Sequence, residues 1–181
     1  MSQQDLLNRI ETDVRALLEA ARAQYARLDP LALQRRRAPE SWNILESIAH
    51  INGYLEDYIP GLERAIHKAK ARRWGPGYDV RYSGRGRRAI RRADPDNGKI
   101  YKSPKHYNFF QKPVGQEVVK SFIINGERLL RVVEAARSVD INRACVPKMH
   151  AWMGKYSVAN LLEFLVVHTR RHFMQAQHLL V

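Results

Sequence analysis

The sequence predicts an all-α protein whose helices form an antiparallel four-helix bundle. In four stretches, apolar residues recur at three- and four-residue steps, as they do on the buried face of an amphipathic helix. The chain has no internal repeat and no convincing strand pattern. Four amphipathic helices of this length favour an antiparallel bundle. A length of 181 residues suits one domain, residues 1–181.

The first two predicted helices cover residues 3–27 and 42–70. Pro30 ends the first, because proline cannot continue a helix. Ser41 is the predicted N-cap of the second. The pair Pro60–Gly61 lies inside the second helix, so we expect a kink or a break there. The apolar face of the second helix consists of Leu45, Ile48, Leu55, Ile59, Leu62 and Ile66.

A long basic connection, residues 68–112, lies between the second and third helices. It holds fourteen lysines and arginines against three aspartates, so eleven of the thirteen net positive charges lie in it. Residues 74–113 are rich in glycine, proline, arginine and tyrosine and show no helical period. We therefore predict a largely irregular insertion, in part disordered or with a short hairpin around Asp96–Asn97–Gly98.

The last two predicted helices cover residues 114–137 and 158–180, with Ser157 as the N-cap of the fourth. A connection that contains Pro147 and Gly154 precedes it. The core-facing stripe of the fourth helix includes two histidines among apolar residues: Leu161, Leu165, His168, His172, Ala176 and Leu179.

His168 and His172 stand one turn apart on this stripe, so both should point into the core. Each buried imidazole nitrogen needs a partner, since an unsatisfied buried polar group costs about 1–3 kcal/mol. A divalent metal ion would take one nitrogen from each ring. A pair of hydrogen-bonded structural histidines would also satisfy them, and the residues alone leave both readings open.

His50 is the natural candidate for a third ligand. On a uniform helical wheel, however, it lies away from the apolar face of the second helix and shares a side with Glu46, Gly53 and Tyr54. That position by itself favours a surface or edge residue over a ligand.

Four motifs follow one another along the chain. Trp42 opens the second helix eight residues before His50, in SWNILESIAHINGYLEDY. Residues 105–113 form a short Lys/Pro/Phe segment before the third helix. Gly154–Lys155–Tyr156–Ser157 leads into the fourth helix, which carries His168-x-x-x-His172-x-x-Gln175. In their order and spacing, these motifs resemble those of the DinB-like (DinB/YfiT) family of four-helix metalloenzymes.

The resemblance implies that His50, His168 and His172 form a three-histidine site for a divalent metal ion, zinc or nickel in known members and sometimes iron or manganese. Some relatives transfer or isomerise groups with low-molecular-weight thiols, which implies a metal-dependent transferase or a hydrolase acting on a small molecule. Glu46 and Tyr54 are then candidates for second ligand-sphere groups or a proton acceptor, with surface solvation as the alternative. Gln175 either orients a histidine or lies at a polar edge.

Other functions rest on the remaining features. The basic connection interleaves arginines with Tyr78, Tyr82 and Tyr101, which predicts at most weak nonspecific binding of nucleic acid or an acidic partner. An inactive bundle with structural histidines is a third hypothesis. Val166, Val167 and Met174, if exposed, would allow a homodimer. The N-terminus lacks a signal-peptide pattern and no apolar run could span a membrane, so we expect a cytoplasmic protein with no membrane contact.

Overall fold

A computed structural model describes residues 1–146 and 155–180, and it is mainly helical. Its helices are α1 (Gln3–Ala23), α2 (Pro30–Leu33), α3 (Ile44–Ala71), α4 (Gly84–Ala93), α5 (Glu117–Ala136) and α6 (Val158–Gln177). Short 3-10 turns lie at Tyr25–Arg27, Pro95–Asn97 and Lys105–Tyr107. Strands β1 (Cys145–Val146) and β2 (Tyr156–Ser157) pair antiparallel. Two residues per strand are too few to show an alternating pattern, so the sequence does not predict this sheet.

The four long helices share one core. Helices α1 and α3 each pack against both α5 and α6. The predicted apolar face of α3 is buried in full, which confirms the period read from the sequence: Leu45, Ile48, Leu55, Ile59, Leu62 and Ile66. Helix α1 likewise buries Leu6, Ile10, Val14 and Ala21. The all-helical class of the prediction is therefore confirmed.

The start of α3 corrects the predicted N-cap. Asn43, and not Ser41, caps this helix: its side chain accepts a hydrogen bond from the Glu46 amide, and the Glu46 carboxylate accepts one from the Asn43 amide. This reciprocal capping box satisfies two amides that the first turn leaves without helical partners. Helix α3 then runs through Pro60 as one element, so the expected break does not occur.

The basic connection contains a helix that the sequence analysis missed. Ser83 caps α4 by accepting a hydrogen bond from the Gly86 amide. The side of α4 that faces the protein is formed mostly by small residues, Gly86, Ala89 and Ala93, with Ile90 the one large apolar residue. Because glycine and alanine add little to an apolar stripe, the helical period is hidden. The expected hairpin is also wrong: Pro95–Asn97 is a 3-10 turn closed by Gly98 at φ 65°.

Helix α4 is attached to α6 at both ends. At its start, the Ser83 hydroxyl donates to the side-chain oxygen of Asn160 over 3.0 Å. Beyond its end, the Arg171 guanidinium donates to the carbonyls of Arg92 (3.2 Å), Asp94 (3.0 Å) and Lys99. These contacts hold the basic connection against the helix that carries two of the candidate ligands.

The predicted dimer surface on α6 is only partly exposed. Val166 and Val167 are buried, because α6 packs against α1, α3 and α4, whereas Met174 is exposed. The homodimer stays a prediction and now rests on Met174 alone. Pro147 and Gly154 lie outside the described residues. Among the residues that the structure describes, no helix is both long and apolar enough to cross a bilayer.

Candidate metal centre

Three histidine side chains from two helices converge in the interior. The Nε2 atom of His168 lies 3.1 Å from Nε2 of His50 and 3.2 Å from Nε2 of His172. One ring nitrogen of each residue lies within 4.8 Å of the other two. His50 and His168 are buried and His172 is half-buried.

The burial of His50 corrects the edge position inferred from the wheel. Every residue at positions 44–52 is buried, so the first turns of α3 have no solvent-facing side. The reason is that α3 meets α5 and α6 and is also covered by the 3-10 turn Lys105–Tyr107. A helical wheel shows only the apolar face of the helix itself. It cannot show that a connection distant in sequence buries another side of that helix.

The ring of His50 is oriented by a backbone group. Its Nδ1 lies 2.7 Å from the carbonyl oxygen of Tyr107. A carbonyl oxygen only accepts hydrogen bonds, so Nδ1 carries the proton and donates it. In the neutral ring, Nε2 then has a free lone pair that points towards His168. A hydrogen bond of this kind on the outer nitrogen is the usual way of fixing a metal-ligating histidine.

Aromatic rings surround the three imidazoles. Trp42 meets the ring of His50 edge-on at 4.9 Å between centroids and stacks beside His172 at 6.2 Å. Phe164 stacks on His168 at 5.3 Å. Tyr54 lies 5.1 Å from His50 and 4.5 Å from His168. The three nitrogens therefore face each other in a largely dry environment.

This environment keeps the imidazoles uncharged. Burial lowers the pKa of His50 to about 4, although its hydrogen bond to the Tyr107 carbonyl acts in the opposite direction. Burial also lowers the pKa of His168 and of His172 well below the ordinary value. Neutral imidazole is the form that ligates a metal.

The cluster suits a divalent ion. Ligands about 2.0–2.1 Å from a tetrahedral ion lie roughly 3.3 Å apart, close to the Nε2–Nε2 separations of 3.1 and 3.2 Å in the cluster. Without a metal ion, three adjacent Nε2 atoms have too few N–H donors to satisfy every lone pair. A cation bound between them would accept a lone pair from each. The Nδ1 atoms of His168 and His172 are buried and have no hydrogen-bond partner among the described residues.

The other predicted site residues are placed differently. Glu46 is 1% exposed, so the alternative of surface solvation is wrong. Its two carboxylate oxygens accept hydrogen bonds from the Arg36 guanidinium, both 2.6 Å, and from the backbone amides of Asn43 and Gln111. The carboxylate thus joins three segments and is fully engaged.

Tyr54 is also buried, and its solvation alternative is likewise wrong. Burial raises the pKa of Tyr54 to about 12, so its hydroxyl stays protonated. Gln175 is exposed, one turn after His172. Its side chain acts to raise the pKa of His172, against the larger effect of burial.

Two contributions to the site were not found in the sequence. The backbone carbonyl of Tyr107 orients His50. The position of a backbone carbonyl cannot be predicted from the pattern of side chains in a sequence. Arg36 neutralises Glu46, ten residues further along the chain, and a single arginine in a basic run carries no pairing signal. Trp42 was noted only as a motif residue, although its ring contacts two of the three histidines.

The fold and the site together define a mainly helical protein with a buried three-histidine cluster suited to a metal ion. The sequence profile of the DinB superfamily matches residues 7–176, and the chain therefore belongs to that superfamily. No curated protein and no solved structure matches the chain.

Proposed function

We propose that the protein binds one divalent metal ion through the Nε2 atoms of His50, His168 and His172 and acts as a metal-dependent enzyme. The observation that carries this proposal is the convergence of three neutral imidazole nitrogens from α3 and α6. We further propose that α1, α3, α5 and α6 run as an antiparallel four-helix bundle, with the site between two of its helices.

Two residues of the cluster have distinct tasks in this proposal. His50 is the oriented ligand, since the Tyr107 carbonyl fixes its ring. His168 stands between the other two and is packed by Phe164. When bound, the ion would supply a Lewis acid with positions open to water or a thiol, as three-ligand sites do. The surrounding aromatic rings exclude bulk water and so strengthen electrostatic interactions there.

The proposed reaction class is a thiol-dependent transfer or a related hydrolysis. The ring of Tyr54 lies beside those of His50 and His168, and its hydroxyl stays protonated. We propose that Tyr54 positions a substrate or a proton there. Gln175 lies one turn after His172, and we propose that it orients this ring. Glu46 is less suited to accept a proton, because four donors already occupy its oxygens; we propose that it holds the N-terminus of α3 in place.

A cleft near the C-terminal end of α6 supports the proposal of a small-molecule substrate, although none of the three histidines lines this cleft. The cleft has a volume of about 580 Å³ and is lined by Arg35, Arg36, Arg37, His178 and Leu179. Arg36 pairs with Glu46, one turn before His50. The donor set does not select the metal: imidazole suits zinc and nickel, which we favour, and also iron or manganese.

Elemental analysis of protein purified without a histidine tag tests the proposal. We expect about one equivalent of zinc or nickel per wild-type chain, as in other three-histidine sites, and its loss in His50→Ala, His168→Ala and His172→Ala. His67→Ala is the matched control, because His67 lies exposed on α3 away from the cluster. Circular dichroism checks that each variant keeps its helices.

Two outcomes would contradict the proposal. Wild-type protein that stays metal-free after dialysis against zinc or nickel would favour the inactive bundle with structural histidines. Equal metal content in the wild type and all three variants would place the ion elsewhere. Binding of metal without turnover of thiol-linked or ester substrates would overturn the reaction class alone.

A further inference from the structure

Helix α4 has one side on which every side chain is an arginine. At about 100° per residue, the buried or half-buried residues of α4 fall on the side that packs on α6. The opposite side carries five exposed arginines: Arg85, Arg87, Arg88, Arg91 and Arg92. No acidic residue lies within α4. We call these five residues the arginine face.

The arginine face lacks the pairing seen elsewhere on the protein. Arg9, Arg22 and Arg128, for example, form ion pairs with carboxylates on other helices. In the part of the chain that the structure describes, none of the five guanidiniums of the arginine face lies within ion-pair distance of a carboxylate. Arg92 contacts the ring of Tyr101 instead, 4.6 Å from its centroid. Like charges one turn apart on a helix repel each other, and a bound anion would relieve that repulsion.

The face is held rigidly. Asn160 and Arg171 fasten α4 to α6 at its two ends. The close packing of Gly86 on Asn160 leaves no space between the helices, since a Cβ at position 86 would lie 2.2 Å from the Asn160 side chain. A fixed array loses less entropy on binding than a mobile basic loop would.

From this charge and geometry, we propose that the arginine face binds the phosphate backbone of a nucleic acid. Arginine makes bidentate hydrogen bonds to phosphate, which lysine cannot do, and α4 contains five arginines and no lysine. An anionic membrane is the less suitable partner. Interfacial helices insert an apolar face between lipids, and the apolar side of α4 already packs on α6. The contacts would be independent of base sequence.

The test compares two triple variants of equal net charge in the full-length protein. Arg85→Gln, Arg88→Gln and Arg92→Gln together remove three charges from the arginine face. Arg27→Gln, Arg64→Gln and Lys120→Gln together remove three exposed charges from other helices or turns. Fluorescence anisotropy with short duplex DNA, single-stranded DNA and single-stranded RNA, over a series of salt concentrations, gives affinity and salt dependence.

We expect the wild type and the control variant to bind at least one of these probes, with affinity falling as salt rises. Loss of three phosphate contacts should reduce the slope of log affinity against log salt by about 2.7 for duplex DNA and about 2 for a single strand. It should weaken binding at low salt at least about tenfold. Metal content and helicity should be the same in all three proteins, which separates this test from that of the metal centre.

Three results would overturn the proposal. The first is equal weakening in both variants, which would show attraction by net charge alone. The second is no binding of any nucleic acid probe at low salt. The third is binding to vesicles of anionic lipid, lost in the arginine-face variant, without binding to nucleic acid.

Discussion

The Nδ1–H of His50 donates a 2.7 Å hydrogen bond to the backbone carbonyl of Tyr107, fifty-seven residues along the chain. The phenolic hydroxyl of Tyr107 in turn donates to the Asp57 carboxylate over 2.6 Å. Its ring stacks on Tyr54 at 3.9 Å. Tyr107 is thus held by Tyr54 and Asp57 of α3, and it orients the candidate ligand His50 on the same helix.

Tyr107→Phe should therefore weaken metal binding without removing a ligand. The variant keeps the stacked ring but loses the bond to Asp57, so the carbonyl that orients His50 is held less firmly. We expect the dissociation constant for zinc to rise about tenfold, the lower end of the effect of outer hydrogen bonds on metal sites. Competition with a chromophoric chelator measures it. The control is Tyr78→Phe, at a tyrosine that is 83% exposed, and it should leave the dissociation constant unchanged. Equal constants for the wild type and both variants would show that the Tyr107 hydroxyl does not support metal binding.

The stability of the metal-free protein should decrease as the solution becomes acidic. The pKa of His50 is about 4 in the folded protein, against 6.5 in an unfolded chain. Between these values the unfolded chain takes up a proton that the folded protein does not, so the free energy of unfolding falls as pH falls. Each buried histidine contributes up to about 1.4 kcal/mol per pH unit.

Urea titrations in the presence of a chelator, from about pH 7 to about pH 5, measure this dependence. The decrease should be smaller in His168→Asn, which removes one buried imidazole, and unchanged in His67→Asn. A stability that is constant over this range in the wild type would show that the imidazoles are charged or solvated in the folded state.

Gly86→Ala should destabilise the docking of α4. The new methyl group would overlap the buried side chain of Asn160, and overpacking of this kind costs about 1–3 kcal/mol. The additional change Asn160→Ala should recover part of that loss, which a double-mutant cycle would show as coupling. Gly84→Ala is the control. Nothing lies within 4 Å of its added Cβ, so it should be neutral or stabilise by about 0.5–1 kcal/mol.

Arg36→Ala should be among the most destabilising changes at a polar residue. It leaves the Glu46 carboxylate, which is 1% exposed, without its counter-ion. Removing one partner of a buried pair typically costs about 3–5 kcal/mol; the partial exposure of Arg36 places the expected loss near the lower bound. Thermal unfolding of Arg36→Ala measures this loss, and Arg35→Ala is the control because Arg35 is an exposed neighbour. Similar melting temperatures for both variants would contradict a structural role for the pair.

The long helices and two of the candidate ligands could be predicted because their signals are local. His168 and His172 interrupt an apolar stripe at helical spacing, and burial of Leu161 and Leu165 confirms the stripe. His50 could not be placed by periodicity, since its cover comes from Tyr107 in a remote connection; the family motif supplied it. The sequence does not reveal helix α4, because the side that contacts α6 consists mostly of glycine and alanine. It also does not single out Asn43 as the N-cap of α3, because Ser41 offers a competing signal two residues earlier.

The position of Trp42 gives the centre an optical reporter. Its indole ring contacts both His50 and His172, so protonation of either imidazole or binding of a paramagnetic ion such as nickel should quench its emission. The chain has two other tryptophans, and Trp42→Phe should abolish the metal-dependent part of the signal while leaving theirs. Titration of the unlabelled protein would then follow occupancy of the three histidines directly in solution.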